Sequence, residues 1–170
     1  VAVGDGGTVY RLGTGSVAVA SGTAADLYGV SFSDAEHGWA VGDGPTIVRT
    51  TDGGVHWAAA GTLPMPAGVD EKYRSTRAAR SVTFTDHLTG VVVGKYQTVW
   101  RTRDGGDSWT AQSITDTTYS DLELRGVAFV PGTASASGSL VTVARAYQLS
   151  LGPDDKAAAF LGRWADMADP

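Results

Sequence analysis

Apolar and polar residues alternate over two short stretches, 28–33 and 80–85, putting Val30 and Phe32, then Val82 and Phe84, on one face of an extended strand. A polar turn follows each stretch (34–38, 86–90), and then an apolar run (39–42, 91–94). A third extended stretch (46–49, 98–101) ends in an Asp-Gly-Gly turn that leads into a fourth (56–59, 108–112). The pattern predicts two groups of four strands, each group an antiparallel meander.

The two groups are copies. With the chain slid by 52 residues, Val30, Phe32, Asp34, Gly38, Val41, Gly42, Thr46 and Arg49 fall without a gap on Val82, Phe84, Asp86, Gly90, Val93, Gly94, Thr98 and Arg101. A four-stranded unit at a period of about 40–50 residues is the signature of a propeller blade. Weaker copies flank them. Val3-Gly4-Asp5-Gly6 with Thr8–Arg11 matches Val41-Gly42-Asp43-Gly44 with the stretch at 46–49, so the chain opens on a second strand. Val127 and Phe129 echo Val82 and Phe84, and 141–144 and 147–151 echo the second and third strands. The expectation is one all-β domain over 1–170, a β-propeller of four-stranded antiparallel blades at about 1–22 (partial), 27–62, 79–113 and 124–165. These three and a half blades form part of a six- to eight-bladed ring, completed by a longer chain or another copy. The tail reads two ways. Pro153-Asp154-Asp155 starts a helix carrying Phe160, Trp164 and Met167, or the repeat continues as an outer strand at 157–161.

Composition narrows the chemistry. The 23 glycines are roughly twice the average usage of about 7%, and they recur at fixed places in the repeat, so they mark turns. A net charge of −5 argues against a general nucleic-acid binder. The absence of cysteine excludes disulfides, thiol catalysis and zinc–thiolate sites. No apolar run approaches the roughly 18–20 residues of a membrane span, so no membrane insertion is expected. His37, His56 and His87 lack ligand spacing, and no metal or cofactor is expected. The Gly-Asp-Gly strings precede no helix and are hairpin turns, not phosphate loops.

The most recognisable string is Thr50-x-Asp52-x-Gly54-x-x-Trp57, which returns as Thr102-x-Asp104-x-Gly106-x-x-Trp109. The Asp can accept hydrogen bonds from its own turn, the Gly pair permits positive φ, and the Trp brings apolar area to wedge the outer strand. These residues resemble the Asp-box, or BNR repeat, of sialidases, xyloglucan-degrading glycosidases and sortilin-type receptors. With Gly38-Trp39-Ala40-Val41-Gly42 the unit is most similar to the photosystem II assembly-factor propellers and their relatives in other bacteria. The resemblance implies a structural role for the eight box residues, on the face opposite the binding site, and an extracytoplasmic compartment (periplasmic, secreted or thylakoid lumen).

The second-to-third turns and the blade connections share the other face, where long loops on a rigid scaffold carry function. Candidate binding residues there are Tyr73, Arg74 and Arg77 in the 63–79 connection, Tyr96 in the Lys95-Tyr96-Gln97 turn, and Tyr119 and Asp121 in 113–123. With no catalytic constellation, the reading is a non-catalytic protein-binding or assembly propeller that takes a protein or peptide segment, with carbohydrate as a second ligand class. Two alternatives stand beside it. One is a glycosidase, with Arg74, Arg77, Arg80 and Tyr73 as a sialidase-like set or Asp70 or Glu71 with Asp121 as a carboxylate pair. The other is a purely structural module.

Overall fold

The computed structural model describes residues 1–44, 46–67, 77–113, 122–130, 139–146 and 157–163. Four antiparallel sheets succeed one another along the chain as the blades of a partial β-propeller. Blade 1 holds β1 (Ala2–Gly4), a 3₁₀ turn (Asp5–Gly7), β2 (Thr8–Arg11) and β3 (Val17–Ala20). Blade 2 is a meander of β4 (Leu27–Phe32), β5 (Gly38–Gly42), β6 (Ile47–Thr50) and β7 (Ala58–Ala59). Blade 3 repeats it with β8 (Ala79–Phe84), β9 (Gly90–Gly94), β10 (Thr98–Thr102) and β11 (Thr110–Ser113). Blade 4 contains β12 (Leu122–Val130), β13 (Ser139–Ala146) and β14 (Ala157–Arg163).

The second strand of a blade is sandwiched between its neighbours, which explains why it reads as an apolar run without alternation. Both β5 and β9 are buried along their whole length. Odd and even residues of β5 serve different seams. Ala40 packs with Val9, Leu27, Val48 and Trp57 toward blade 1, while Trp39 and Val41 join Val82, Phe84, Val92, Trp100 and Trp109 toward blade 3. The Trp39 indole lies flat on Phe84, with ring centroids 3.5 Å apart and planes 7° from parallel. The start of the 63–79 connection is anchored in the same seam, with Leu63 buried and the Pro64 carbonyl accepting from Trp100 Nε1 at 2.8 Å.

In blade 4 the order of strands differs from the expectation. Residues 157–163 are a strand and not a helix, but they pair directly with β13, from Arg145↔Ala157 to Ser139↔Arg163. The segment therefore takes the third-strand place and not the outer one. The span 147–151, expected to be the third strand, lies outside the described residues. A repeat register read from spacing alone cannot detect an altered connection between paired strands.

Each first strand carries one extra residue. The pairing register shifts between Leu27 and Gly29, between Ala79 and Ser81, and between Leu124 and Gly126. The residues left over are Tyr28, Arg80 and Arg125. A bulge of this kind bends a strand and re-aims a side chain.

Candidate binding face

Two hydrogen-bond patterns sort the turns onto two faces. On the first, the Gly53 amide donates to the Glu36 carbonyl and the Gly105 amide to the Leu88 carbonyl, both at 2.9 Å, so each Asp-box leans on its blade's first-to-second turn. Within the box the Thr50 hydroxyl donates to Asp52 (2.8 Å) and accepts the Gly54 amide (2.9 Å). Asp52 Oδ1 also accepts the Val55 and His56 amides at 3.0 and 2.9 Å. The second box repeats this: Thr102 donates to Asp104 at 2.7 Å, the Gly106 amide donates to Thr102, and the Ser108 amide donates to Asp104. Gly53, Gly54, Gly105 and Gly106 all have φ between +69° and +93°, conformations a side chain would resist.

These donors hold both carboxylates ionised. The His56 amide and imidazole keep Asp52 far below the usual carboxylate range. For Asp104 desolvation acts upward, but donors from Ser108 and Thr102 outweigh it and bring the group to about 2. The second box also receives the preceding blade. Its Gly105 carbonyl accepts from Trp39 Nε1 at 2.9 Å and from Arg49 Nη1 at 3.2 Å, and Arg49 pairs with Asp107 at 2.7 Å.

On the opposite face each second-to-third turn leans on its blade's entry: the Asp43 amide donates to the Asp26 carbonyl and the Lys95 amide to the Ala78 carbonyl, both at 3.0 Å. Here the copies diverge. Blade 2 carries Ala25, Asp26, Tyr28, Asp43 and Gly44 where blade 3 carries Arg77, Ala78, Arg80, Lys95 and Tyr96. Tyr96 and Gln97 both adopt positive φ, 56° and 54°, at the places of Gly44 and Pro45. Positive φ costs roughly 1–2 kcal/mol for a residue other than glycine, and such outliers cluster at ligand sites. The Tyr96 ring covers the Arg77 guanidinium at 5.0 Å, and Arg77 Nη1 donates to the Thr98 hydroxyl. Arg77 is only 5% exposed, its Nε is without a hydrogen-bond partner among the described residues, and burial pushes its basicity down. Tyr96 is 36% exposed.

The bulge residues form a belt beside this seat. The Tyr28 hydroxyl donates to Asp43 at 2.8 Å, and the Arg80 guanidinium lies over the Tyr28 ring at 4.1 Å. Arg80 Nε binds buried Glu123 at 2.5 Å, and Arg125 Nη2 binds the other carboxylate oxygen at 2.7 Å. Desolvation acts to raise the Glu123 pKa, but the two guanidinium groups prevail and lower it. Arg80 is thus held by groups of the protein itself, its Nε on Glu123 and its guanidinium plane on Tyr28.

Of the candidate binding residues, Arg77 and Tyr96 are brought into contact. Tyr73, Arg74, Tyr119 and Asp121, with the carboxylates Asp70 and Glu71, lie outside the described residues. Thr98 and Tyr28 were not singled out from the sequence. The detectable signal for Tyr28 is its place in the repeat, aligned with Arg80 and two residues before a core valine. Among the described residues no three His, Asp or Glu side chains are grouped to hold a metal ion, and no helix is long and apolar enough to cross a membrane.

Comparison with known proteins agrees with this architecture. Residues 16–79 match the family model described as Photosynthesis system II assembly factor YCF48. No curated protein matches the chain. A solved structure of YCF48 bound to D1 peptide is similar at a TM-score of 0.53 and 20% identity, over 88% of this chain and 47% of that one. YCF48 from Cyanidioschyzon merolae aligns over 79% of this chain and 56% of that chain, at 14% identity and a TM-score of 0.27. The chain therefore spans about half the length of these relatives. In repeat and fold it is similar to Asp-box propellers of the photosystem II assembly-factor type.

Proposed function

We propose that the chain is a non-catalytic, extracytoplasmic binding propeller that holds a protein segment against the face opposite its Asp-boxes. The observation that carries this is the Arg77–Tyr96 seat. It combines a buried cation with a donor unmet among the described residues, an aromatic lid, and two consecutive residues in a costly backbone conformation on a hairpin. Arg and Tyr together suit a peptide, offering charge-assisted hydrogen bonds to carboxyl or carbonyl oxygens and a flat surface for side chains. Tyr73 and Arg74, four and three residues upstream of Arg77, and Tyr119 and Asp121 in the next connection extend the proposed surface. The similarity to a propeller that carries a bound D1 peptide supports a peptide ligand over a glycan. The Asp-boxes, whose carboxylates face their own turns, serve as structural clasps.

Fluorescence polarisation with a labelled D1 peptide tests the reading. Arg77→Ala and Tyr96→Ala should each weaken binding about tenfold, close to 1.4 kcal/mol. Equal affinity in wild type and both variants would remove the seat from recognition. Turnover of fluorogenic glycosides, abolished by Asp70→Asn or Asp121→Asn, would establish a hydrolase in its place.

A further inference from the structure

On the Asp-box face, two histidines that no repeat relates are brought side by side. His37 aligns with Thr89 and His87 with Ala35, so the pair arises only from packing the first-to-second turn of blade 2 against that of blade 3. Their ring centroids are 5.6 Å apart and their planes are tilted by 38°. We propose that His37 and His87 form a two-imidazole site for a borderline divalent cation, Zn²⁺ or Ni²⁺, that bridges blades 2 and 3.

Three observations favour a cation over a bare ring contact. First, two imidazoles bound to one tetrahedral ion at about 2.0–2.1 Å place their centroids on the order of 5 Å apart, within a small side-chain adjustment of the spacing seen. Second, His37 is oriented as metal-binding histidines are. Its Nδ1 lies 2.9 Å from Asp34 Oδ2, and Asp34 Oδ1 already accepts the Glu36 and His37 amides at 2.8 and 2.7 Å. A carboxylate in that arrangement accepts only, so in the neutral ring Nδ1 carries the hydrogen and the Nε2 lone pair is left for a ligand.

Third, both turns are held in place. Asp86 Oδ1 accepts the Leu88 and Thr89 amides at 2.7 Å each, and the Gly105 amide donates to Leu88 from the Asp-box behind. His87 is exposed and the His37 side chain is one-third exposed, so an ion reaches the pair from solvent. Imidazole ligands favour zinc, nickel and copper over magnesium and calcium. With two protein ligands, water completes the coordination sphere.

Calorimetric titration of the full, tag-free chain with ZnCl₂, repeated with NiCl₂, tests this. The expected result is one saturable site whose occupancy raises the melting temperature by a few degrees. His37→Ala and His87→Ala each weaken it at least about tenfold, and Asp34→Asn weakens it by about tenfold through loss of ring orientation. His56→Ala, whose ring belongs to the Asp-box and not to the pair, leaves it unchanged. Far-UV circular dichroism without metal shows that these surface variants fold. Binding that persists in the His37→Ala/His87→Ala double variant, or no heat up to about 1 mM metal, overturns the site.

Discussion

The two ends of blades 2 and 3 follow opposite rules. At the Asp-box end, Thr50, Asp52, Gly54 and Trp57 are duplicated in Thr102, Asp104, Gly106 and Trp109, and the core hydrogen bonds are duplicated with them. At the loop end, the same 52-residue shift exchanges Ala25 for Arg77, Tyr28 for Arg80, Asp43 for Lys95 and Gly44 for Tyr96. One end carries the interactions with which both of these blades clasp their outer hairpin. The other end keeps the backbone path but changes sign, from two acidic groups (Asp26, Asp43) to three basic ones (Arg77, Arg80, Lys95). Within one molecule, duplication marks what folding requires, and divergence marks where individual recognition has room to develop.

The comparison can be broken at several depths. The largest effect is expected at the seam that joins the ends. Trp39→Ala removes the stack on Phe84 and the hydrogen bond to the Gly105 carbonyl, and should cost about 3–5 kcal/mol in urea unfolding. Peptide affinity measured well below the denaturation midpoint should stay the same, because the seat lies elsewhere.

Next is the belt at the loop end. Glu123→Gln removes the buried carboxylate shared by half-buried Arg80 and exposed Arg125 and should cost about 2 kcal/mol. It should also remove part of the acid sensitivity. Glu123 is depressed below its ordinary 4.5, so its stabilising effect is present above that value and is lost as pH falls through the lower, folded-state value.

The Asp-box gives a smaller loss with a defined window. Asp104→Ala strips the Ser108 amide and the Thr102 hydroxyl of their acceptor and should cost about 1 kcal/mol. In wild type, the Asp104 contribution is full above about pH 4 and disappears as pH falls toward 2, because its pKa drops from 3.8 to about 2 on folding. Urea midpoints measured across that range should converge for wild type and variant at the acid end.

The smallest stability effect sharpens the comparison most. Tyr96→Gly makes the blade 3 turn resemble blade 2, relieving a φ of 56° while losing the contact with Arg77. The two terms oppose, so stability should change by less than about 1 kcal/mol, whereas peptide affinity should fall about tenfold. A large loss of stability with unchanged affinity would show that Tyr96 is structural.

Much of the fold was legible because its signals are local. Val30 and Phe32 alternate, Gly38–Gly42 is a short apolar run, and the Asp-Gly-Gly turn precedes a tryptophan; each is a property of a few consecutive residues. The candidate site was legible only as residue types on the correct face. That Arg77 sits under Tyr96, or that His37 meets His87, depends on segments 19 and 50 residues apart in the chain. The bulges were not legible, because Tyr28, Arg80 and Arg125 continue an apparent alternation that their unpaired backbone interrupts.

By itself, then, the sequence determined the blade: its period, its four-strand meander, its clasp and the sorting of its turns onto two faces. All of these follow from hydrogen bonding and apolar spacing within one unit. Only the tertiary structure decided which charges are already answered. Arg80 is paired with Glu123 and Tyr28, while Arg77, among the described residues, retains an unmet donor beneath an aromatic ring. The reason is physical: a blade's strands specify their own pairing, but the partners of a side chain at the seam come from neighbouring blades, whose approach no local pattern records.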